Sequence, residues 1–589
     1  LEQEGAGMKA IITDLNANLN LAIRGKKEAI YELKKQLEEA EKRLPDFAKE
    51  FAYVNLDFSS GLYVKAYELY KAGKIDAAII TLDEAILEKA AEDALTAIKV
   101  GRELTEKGEL QVRQVIESYE FKAGLYKQKI QYKFALEIHQ KLVELQEKVL
   151  NENDPELSLS YNSLALLYRD LGEYDQARNL LEQVLPSDSA NFGENHPNTT
   201  RSRSNLALVY QDLGKYEQAR DLLELVLQSD SINFEENHPQ TAINRSNLAM
   251  VYKDLGKYEQ ARDLLKLALQ SDSINFGENH PKTATRRSNL AVVFQAWGEY
   301  RQAGDLLELA LQSDIINFGE NHPKTALSRS NLAIVYKNLG EYERARDLLK
   351  LALQSDITNL GEDHPKTAIK RSNLATVYEA LGKYEQARDL LKLALRSDII
   401  NFGENHNNTA IRRSNLAIVC KKLGDHEQAK NLLKIALQSA ITNFGEDHPT
   451  TATRRSNLAI VYKEMGAYEQ ALGLLKLALQ SDSTNFGQGH VNTAIRRSNL
   501  ALVYQAMGDY EQARDLLKTA LQSIITNFGE DHPNTAVSRT NLATVYKDMG
   551  EDGQAKILLK QAYVTFEKLL GGDHPNTKAV GSWLDSLKK

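Results

Sequence analysis

The residues of this chain best equipped to bind or react are histidines, asparagines and one cysteine. Their spacing decides what they can do. Ten of the twelve histidines recur every 42 residues, from His196 to His574. Metal ligation needs donors about 2 Å from one shared ion. Histidines a whole repeat apart do not supply them, and a turn residue ahead of the next proline explains them better. The stretch DSINFGENH has Asp272 and Gly277 at the first and sixth places of a calcium loop, but Ile274 and Phe276 stand where oxygen ligands belong. Cys420 replaces a tyrosine present at Tyr378 and Tyr462 and reads as a buried, inert thiol. The chain has no phosphate-binding loop, dinucleotide fingerprint, zinc-protease helix or serine elbow, and one cysteine excludes a CxxC pair. The expectation is therefore no catalytic residue, no metal and no cofactor.

What recurs instead is an asparagine. Asn205, Asn247, Asn289, Asn331, Asn373, Asn415, Asn457, Asn499 and Asn541 each open Asn-Leu-Ala, 42 residues apart, and Ser163 opens Ser-Leu-Ala one period earlier. Pro155, Pro197, Pro239, Pro281, Pro323, Pro365, Pro449, Pro533 and Pro575 share the spacing, with Asn407 and Val491 in the two gaps. Ten units thus run from Pro155 to His574, and a period of this size indicates a solenoid. In one unit, Pro239 suits the first turn of a helix A reaching about Asp254, and Gly256 offers a left-handed cap. Helix B starts near Tyr258, carries Ala261, Leu264, Leu265, Ala268 and Leu269 as one apolar stripe, and stops near Gly277. Glu235 stands where Gly193, Gly277, Gly319 and Gly403 stand, and an identical loop would force it to positive φ. No strand signal interrupts the array. The chain is expected to be all-α: residues 1–154 an irregular helical region, 155–574 the ten units and 575–589 a C-terminal capping helix.

The small and aromatic residues Ala249, Tyr252, Gly256, Tyr258, Ala261, Leu265 and Ala268 resemble the packing positions of the tetratricopeptide repeat. The 42-residue form, with His-Pro before helix A and a lengthened helix B, looks like the repeats of kinesin light chains, as does the closing EKLLGGDHPNTKAVGSWLDSLKK. The resemblance covers about 420 of 589 residues. It implies a right-handed superhelical solenoid of antiparallel helix hairpins whose A helices line a concave surface. Before the array, Leu69–Ile86 reads as a tetratricopeptide turn and second helix, and Leu125–Leu145 as a degenerate unit in register. Ile30, Leu33, Leu37, Ala40 and Leu44 form a short heptad stripe, read as an N-terminal cap packed within the chain.

At about 100° per residue, Leu416, Val419, Cys420 and Leu423 form the core side of helix A. The other side carries Ile411, Ser414, Ile418, Lys421 and Lys422, with Asn415 on the shoulder. The Ile418 place is filled by Leu208, Met250, Val292, Ile334, Thr376, Ile418, Ile460, Leu502 and Thr544, and the Ile411 place is apolar in six of nine units. Such a floor either binds a ligand or stacks between neighbouring units. The asparagine is a poor helix former kept mid-helix. Its amide suits an extended peptide backbone, and similar asparagine ladders line peptide grooves in O-GlcNAc transferase and kinesin light chains. A hydrogen bond between units, or recent duplication, would also account for it. The candidate ligand-binding residues are the nine asparagines with Ile334, Ile418, Ile460, Lys337, Lys421 and Lys463. The Arg two places before each asparagine points to the packing side and is expected to pair with an acid on an adjacent helix.

A net charge of -8 argues against a nucleic-acid or membrane-surface binder. The single cysteine suits a reducing cytosol, and no apolar run approaches the ~20 residues of a membrane span. The start LEQEGAG, ahead of Met8, suggests a cloning scar or an excerpt. The resemblance implies a cytoplasmic, non-enzymatic scaffold whose partner is a protein or extended peptide in the concave groove. The alternative is the C-terminal sensor of a larger signalling NTPase or protease whose effector domain precedes residue 1.

Overall fold

The computed structural model describes residues 61–100, 105–128, 131–151 and 154–587. Among them every regular element is a helix. The unit seen in sequence becomes helix A Pro239–Asp254 and helix B Tyr258–Phe276, and the same two helices recur along the array. The turn between them is a Schellman motif. Gly256 takes φ 75°, Lys257 N–H donates to the Tyr252 carbonyl at 2.8 Å and Gly256 N–H to that of Lys253 at 3.0 Å. Two orphaned carbonyls are thereby satisfied. Helix B ends at Gly277, φ 90° and ψ 163°, a region open only to glycine. The histidine then caps the next helix A: His280 Nδ1 accepts from Lys282 N–H at 3.2 Å, with Pro281 at the first turn.

Packing follows from residue size. Ala249 and Ala261 are fully buried and let the two helices approach, while Leu265 and Val293 fill the space beside them. Each such leucine contributes about 1.5–3 kcal/mol through burial. The described residues divide into two compact units, one ending at Leu171 and the other beginning at Gly172. The first is built around Tyr63, Tyr67, Tyr119, Phe121, Leu125 and Leu142. Its helix Tyr132–Val149 begins 42 residues before the helix that starts at Tyr174, the spacing of Tyr216 and Tyr258 in the array. The predicted second helix after Gly73 is instead interrupted. Ile75–Thr81 stops at Leu82, and Asp83 Oδ1 accepts Ile86 N–H at 3.1 Å to start Glu84–Val100. An aspartate that can cap outcompetes helix continuation there. The heptad stripe Ile30–Leu44 lies outside the described residues.

The loop at Glu235 also departs from expectation. Helix B of that unit, Tyr216–Asn233, ends one residue early, and Phe234 is extended at φ -133°. The loop takes another path, so relief of positive φ gives no reason to place glycine at 235.

Solenoid stability is a sum of unit and nearest-neighbour terms. Deleting Pro365–His406 is expected to leave a folded, shorter protein with the same helical circular dichroism per residue. Cooperative loss of all helical signal would contradict the architecture.

Candidate functional site on the A helices

Within the second compact unit, successive A helices touch each other more closely than successive B helices do. The A helices therefore ride on the inside of the curve. Each presents three graded columns there. The outermost is exposed: Leu327 at 51%, Ile369 at 40% and Ile495 at 41% of their surface. The column of Ile334, Ile418 and Ile460 is half-buried, and so are all nine asparagines.

Eight of the nine asparagines divide into two sets. Asn289 Nδ2 donates to Ser246 Oγ at 2.9 Å, Asn373 to Ser330 at 2.9 Å, Asn415 to Ser372 at 3.1 Å and Asn499 to Ser456 at 2.8 Å. Each bond joins one unit to the unit before it and leaves Oδ1 without a donor among the described residues. The side-chain amides of Asn247, Asn331, Asn457 and Asn541 make no hydrogen bond to any described group. The serine column corrects the sequence reading of Ser414 as groove-facing. Ser330, Ser372, Ser414 and Ser456 are buried at the junction of units, because a serine one place before the asparagine turns about 100° toward the neighbour. Of the three lysines, Lys421 Nζ bonds Glu464 Oε1 at 3.2 Å, one unit on. Burial pushes the Lys337 ammonium down against the opposing pull of Glu379, and Lys463 is half-buried.

The arginine column is buried at its stem and paired, as expected, but its acid lies in the loop before the same helix. Arg287 binds the Glu278 carboxylate and, at 2.6 Å, the Glu278 carbonyl; Arg455 does the same with Glu446, again at 2.6 Å. A second acid column went unseen in the sequence. It lies near the end of helix B and meets the next helix A: Asp230 with Asn244 at 2.8 Å, Asp272 with Arg286 at 2.9 Å, Asp356 with Lys370 at 3.7 Å, Asp398 with Arg412 at 3.0 Å and Asp482 with Arg496 at 2.9 Å. Burial pushes Asp398 up to about 6 although Arg412 pulls the other way. The signal was present as an aspartate recurring 14 residues before a polar or cationic residue.

The histidines do more than cap. His448 Nε2 donates to the Asp212 carbonyl at 3.1 Å and His532 Nε2 to that of Trp297 at 2.6 Å. Tyr174 stacks on Phe444, Tyr216 on Phe486 and Tyr258 on Phe528, with centroids 5.3–5.5 Å apart. A Cβ on Gly298 would run into the His532 ring. From 212 to 448 is 236 residues, between five and six units, so the coil returns onto itself along a seam. A cavity of about 370 Å³ opens on this seam, lined by Tyr216, Asp254, Tyr258, Val292 and His490 among others.

Elsewhere the chemistry is quiet. Cys420 is buried, its thiol pushed up by burial and within 2.9 Å of Gln428 Oε1. No metal-holding cluster of His, Cys, Asp or Glu occurs among the described residues. No described helix is long and apolar enough to cross a membrane. Helix B carries a second exposed aliphatic column, from Leu225 to Leu477, with Leu351 at 56%, which the sequence reading passed over.

Capped helix hairpins stacked in a curved array, with small residues at each crossing, define a helical-repeat solenoid. The chain belongs to the tetratricopeptide repeat family: its family model matches at 114–190, 199–274, 240–315, 298–358, 324–399, 366–440, 413–483 and 492–568. No curated protein matches. Solved structures with similarity include the kinesin-light-chain-type, nearly identical TPR-like repeats of Podosopora anserina, at 27% identity over 34% of this chain and 95% of that one, TM-score 0.31. BtubC (BKLC) of P. vanneervenii matches at 23% identity over 39% and 90%, TM-score 0.31. The Rap protein complexed with Competence and Sporulation Factor matches at 15% identity over 66% and 97%, TM-score 0.40. Tetratricopeptide arrays are generally protein-interaction scaffolds and generally non-enzymatic.

Proposed function

We propose that this chain is a non-enzymatic scaffold that holds a protein segment in extended form along the inner face of its A helices. One observation carries the proposal. The inner face combines an exposed aliphatic column with asparagine amides whose hydrogen-bonding groups are not all used within the fold. Aliphatic side chains would read the ligand's side chains, and the amides its backbone. The reducing, cytoplasmic setting inferred from a single cysteine belongs to the same proposal.

The test uses a peptide selected against the protein from a random display library. Leu327 and Ile369 lie in adjacent units and are 51% and 40% exposed, so aspartate at both is compatible with folding. Each aliphatic contact is worth about 1.5 kcal/mol or more when buried by a ligand. The double variant is expected to bind at least about tenfold more weakly. Undiminished binding, together with loss in the matching helix B variant Leu309→Asp, Leu351→Asp, would move the site to the outer face and end the proposal.

A further inference from the structure

Arg454 is the exception in the column of buried cations. Its counterpart one unit on, Arg496, has two partners: Nε meets Asp482 Oδ2 at 2.9 Å, and an outer nitrogen donates to Thr453 Oγ1 at 2.7 Å. At Arg454 the two corresponding places hold Ala440 and Ile411, and neither side chain has an acceptor. Arg454 is only 7% exposed, and its Nε is buried without a partner among the described residues. Where the acid is missing elsewhere, the cation is missing too. Ile524 stands against Ser538 and Phe566 against Val580. Only at 440 and 454 has the carboxylate gone while the guanidinium stays.

A buried unpaired charge is heavily disfavoured unless it is neutralised or matched. Loss of its proton does not serve at neutral pH, since burial brings Arg454 down only to about 10. The other route is a counter-ion, since Nε is enclosed and without a hydrogen-bond partner among the described residues. Alanine in place of aspartate shortens the side chain at 440 by one carboxylate group. We infer that a small monovalent anion binds beside Arg454, between helices His426–Phe444 and Pro449–Glu464, in the place of the carboxylate that most other units supply. Chloride and a carboxylate share the charge and size required. The carboxylate can be a free ion or an acidic side chain reaching in past Ile411 from the inner face.

The experiment is hydrogen exchange of the backbone amides of helix Pro449–Glu464 in the full chain, at constant ionic strength. Gluconate, too bulky for the space, is replaced stepwise by chloride or by formate. An anion at about ten times its dissociation constant slows local opening about tenfold. That slowing is expected for Pro449–Glu464 and not for Val491–Ala506, whose Arg496 already has its acid. Slowing by both ions marks a site for simple charge, and slowing by formate alone marks a carboxylate site. Ala440→Asp is expected to exchange slowly in gluconate and to ignore added anion, and Arg454→Met to ignore it as well. The same rate in all three salts, or an unchanged response in Ala440→Asp, would overturn the site.

Discussion

Lowering the pH from 7 to about 4.5 is expected to open the second compact unit along its seam while its helices persist. His448 and His532 are both pushed down to about 4 by burial, and His490 and His574 are lowered by the same cause. The two seam bonds fix the neutral tautomer. His448 Nδ1 accepts from Thr450 N–H at 3.0 Å while Nε2–H donates to Asp212, so an added proton must enter at Nδ1 and break the cap. It would also put positive charge at a helix N-terminus. Of the charged groups here, Asp254 favours the protonated His490, and Lys253 lines the same cavity. The folded pKa lies below the unfolded value of about 6.5, so the closed state binds fewer protons. Stability is complete above about 6.5 and is lost as pH falls toward 4. For His448 and His532 the full loss is about 3 kcal/mol each. Three stacked ring pairs and a few hydrogen bonds, at about 1 kcal/mol apiece, do not hold against that. Small-angle scattering should show a longer maximum dimension at pH 4.5, with far-ultraviolet dichroism unchanged. Asparagine at the four positions keeps a cap but not the reach across the seam, so that variant should be long at both pH values. A wild-type dimension constant down to pH 4 would refute the mechanism.

The seam also marks where reading the sequence stops. Helix limits such as Pro239–Asp254 were legible because each follows from local rules: proline at the first turn, glycine after the last, and an apolar stripe between. The arginine column was legible for the same reason, since helical angle alone sends it toward the core. The seam depends on a small rotation per unit, accumulated over more than five units, and no residue encodes that sum locally. Ser414 was misplaced by a smaller version of the problem. Its angle on the helix was read correctly as away from the core of its own hairpin, but the neighbouring unit, not solvent, occupies that direction. At Thr81–Asp83 two local rules conflicted, and the cap prevailed over the stripe.

The repeated asparagine has two separable roles, and the expected result is that they separate by unit. Asn373, Asn415 and Asn499 each tie one unit to the one before through a buried serine. Removing such a bond leaves the serine hydroxyl short of a donor and costs about 0.5–1.5 kcal/mol. Alanine's better helix propensity returns a few tenths of that. The triple alanine variant at these positions should melt lower than the parent. Asn331, Asn457 and Asn541 have no such bond to lose, so alanine at all three should leave the melting temperature equal or slightly raised. If the amides hold a ligand backbone, that second variant should bind a selected peptide about tenfold more weakly or worse, since three lost bonds sum to more than about 1.4 kcal/mol. Weaker binding without a lower melting temperature is a result that a purely structural asparagine cannot produce. If binding is undiminished and only the first variant melts lower, the ladder serves to register the stack. If neither variant changes either quantity, the asparagine persists because the units were copied recently.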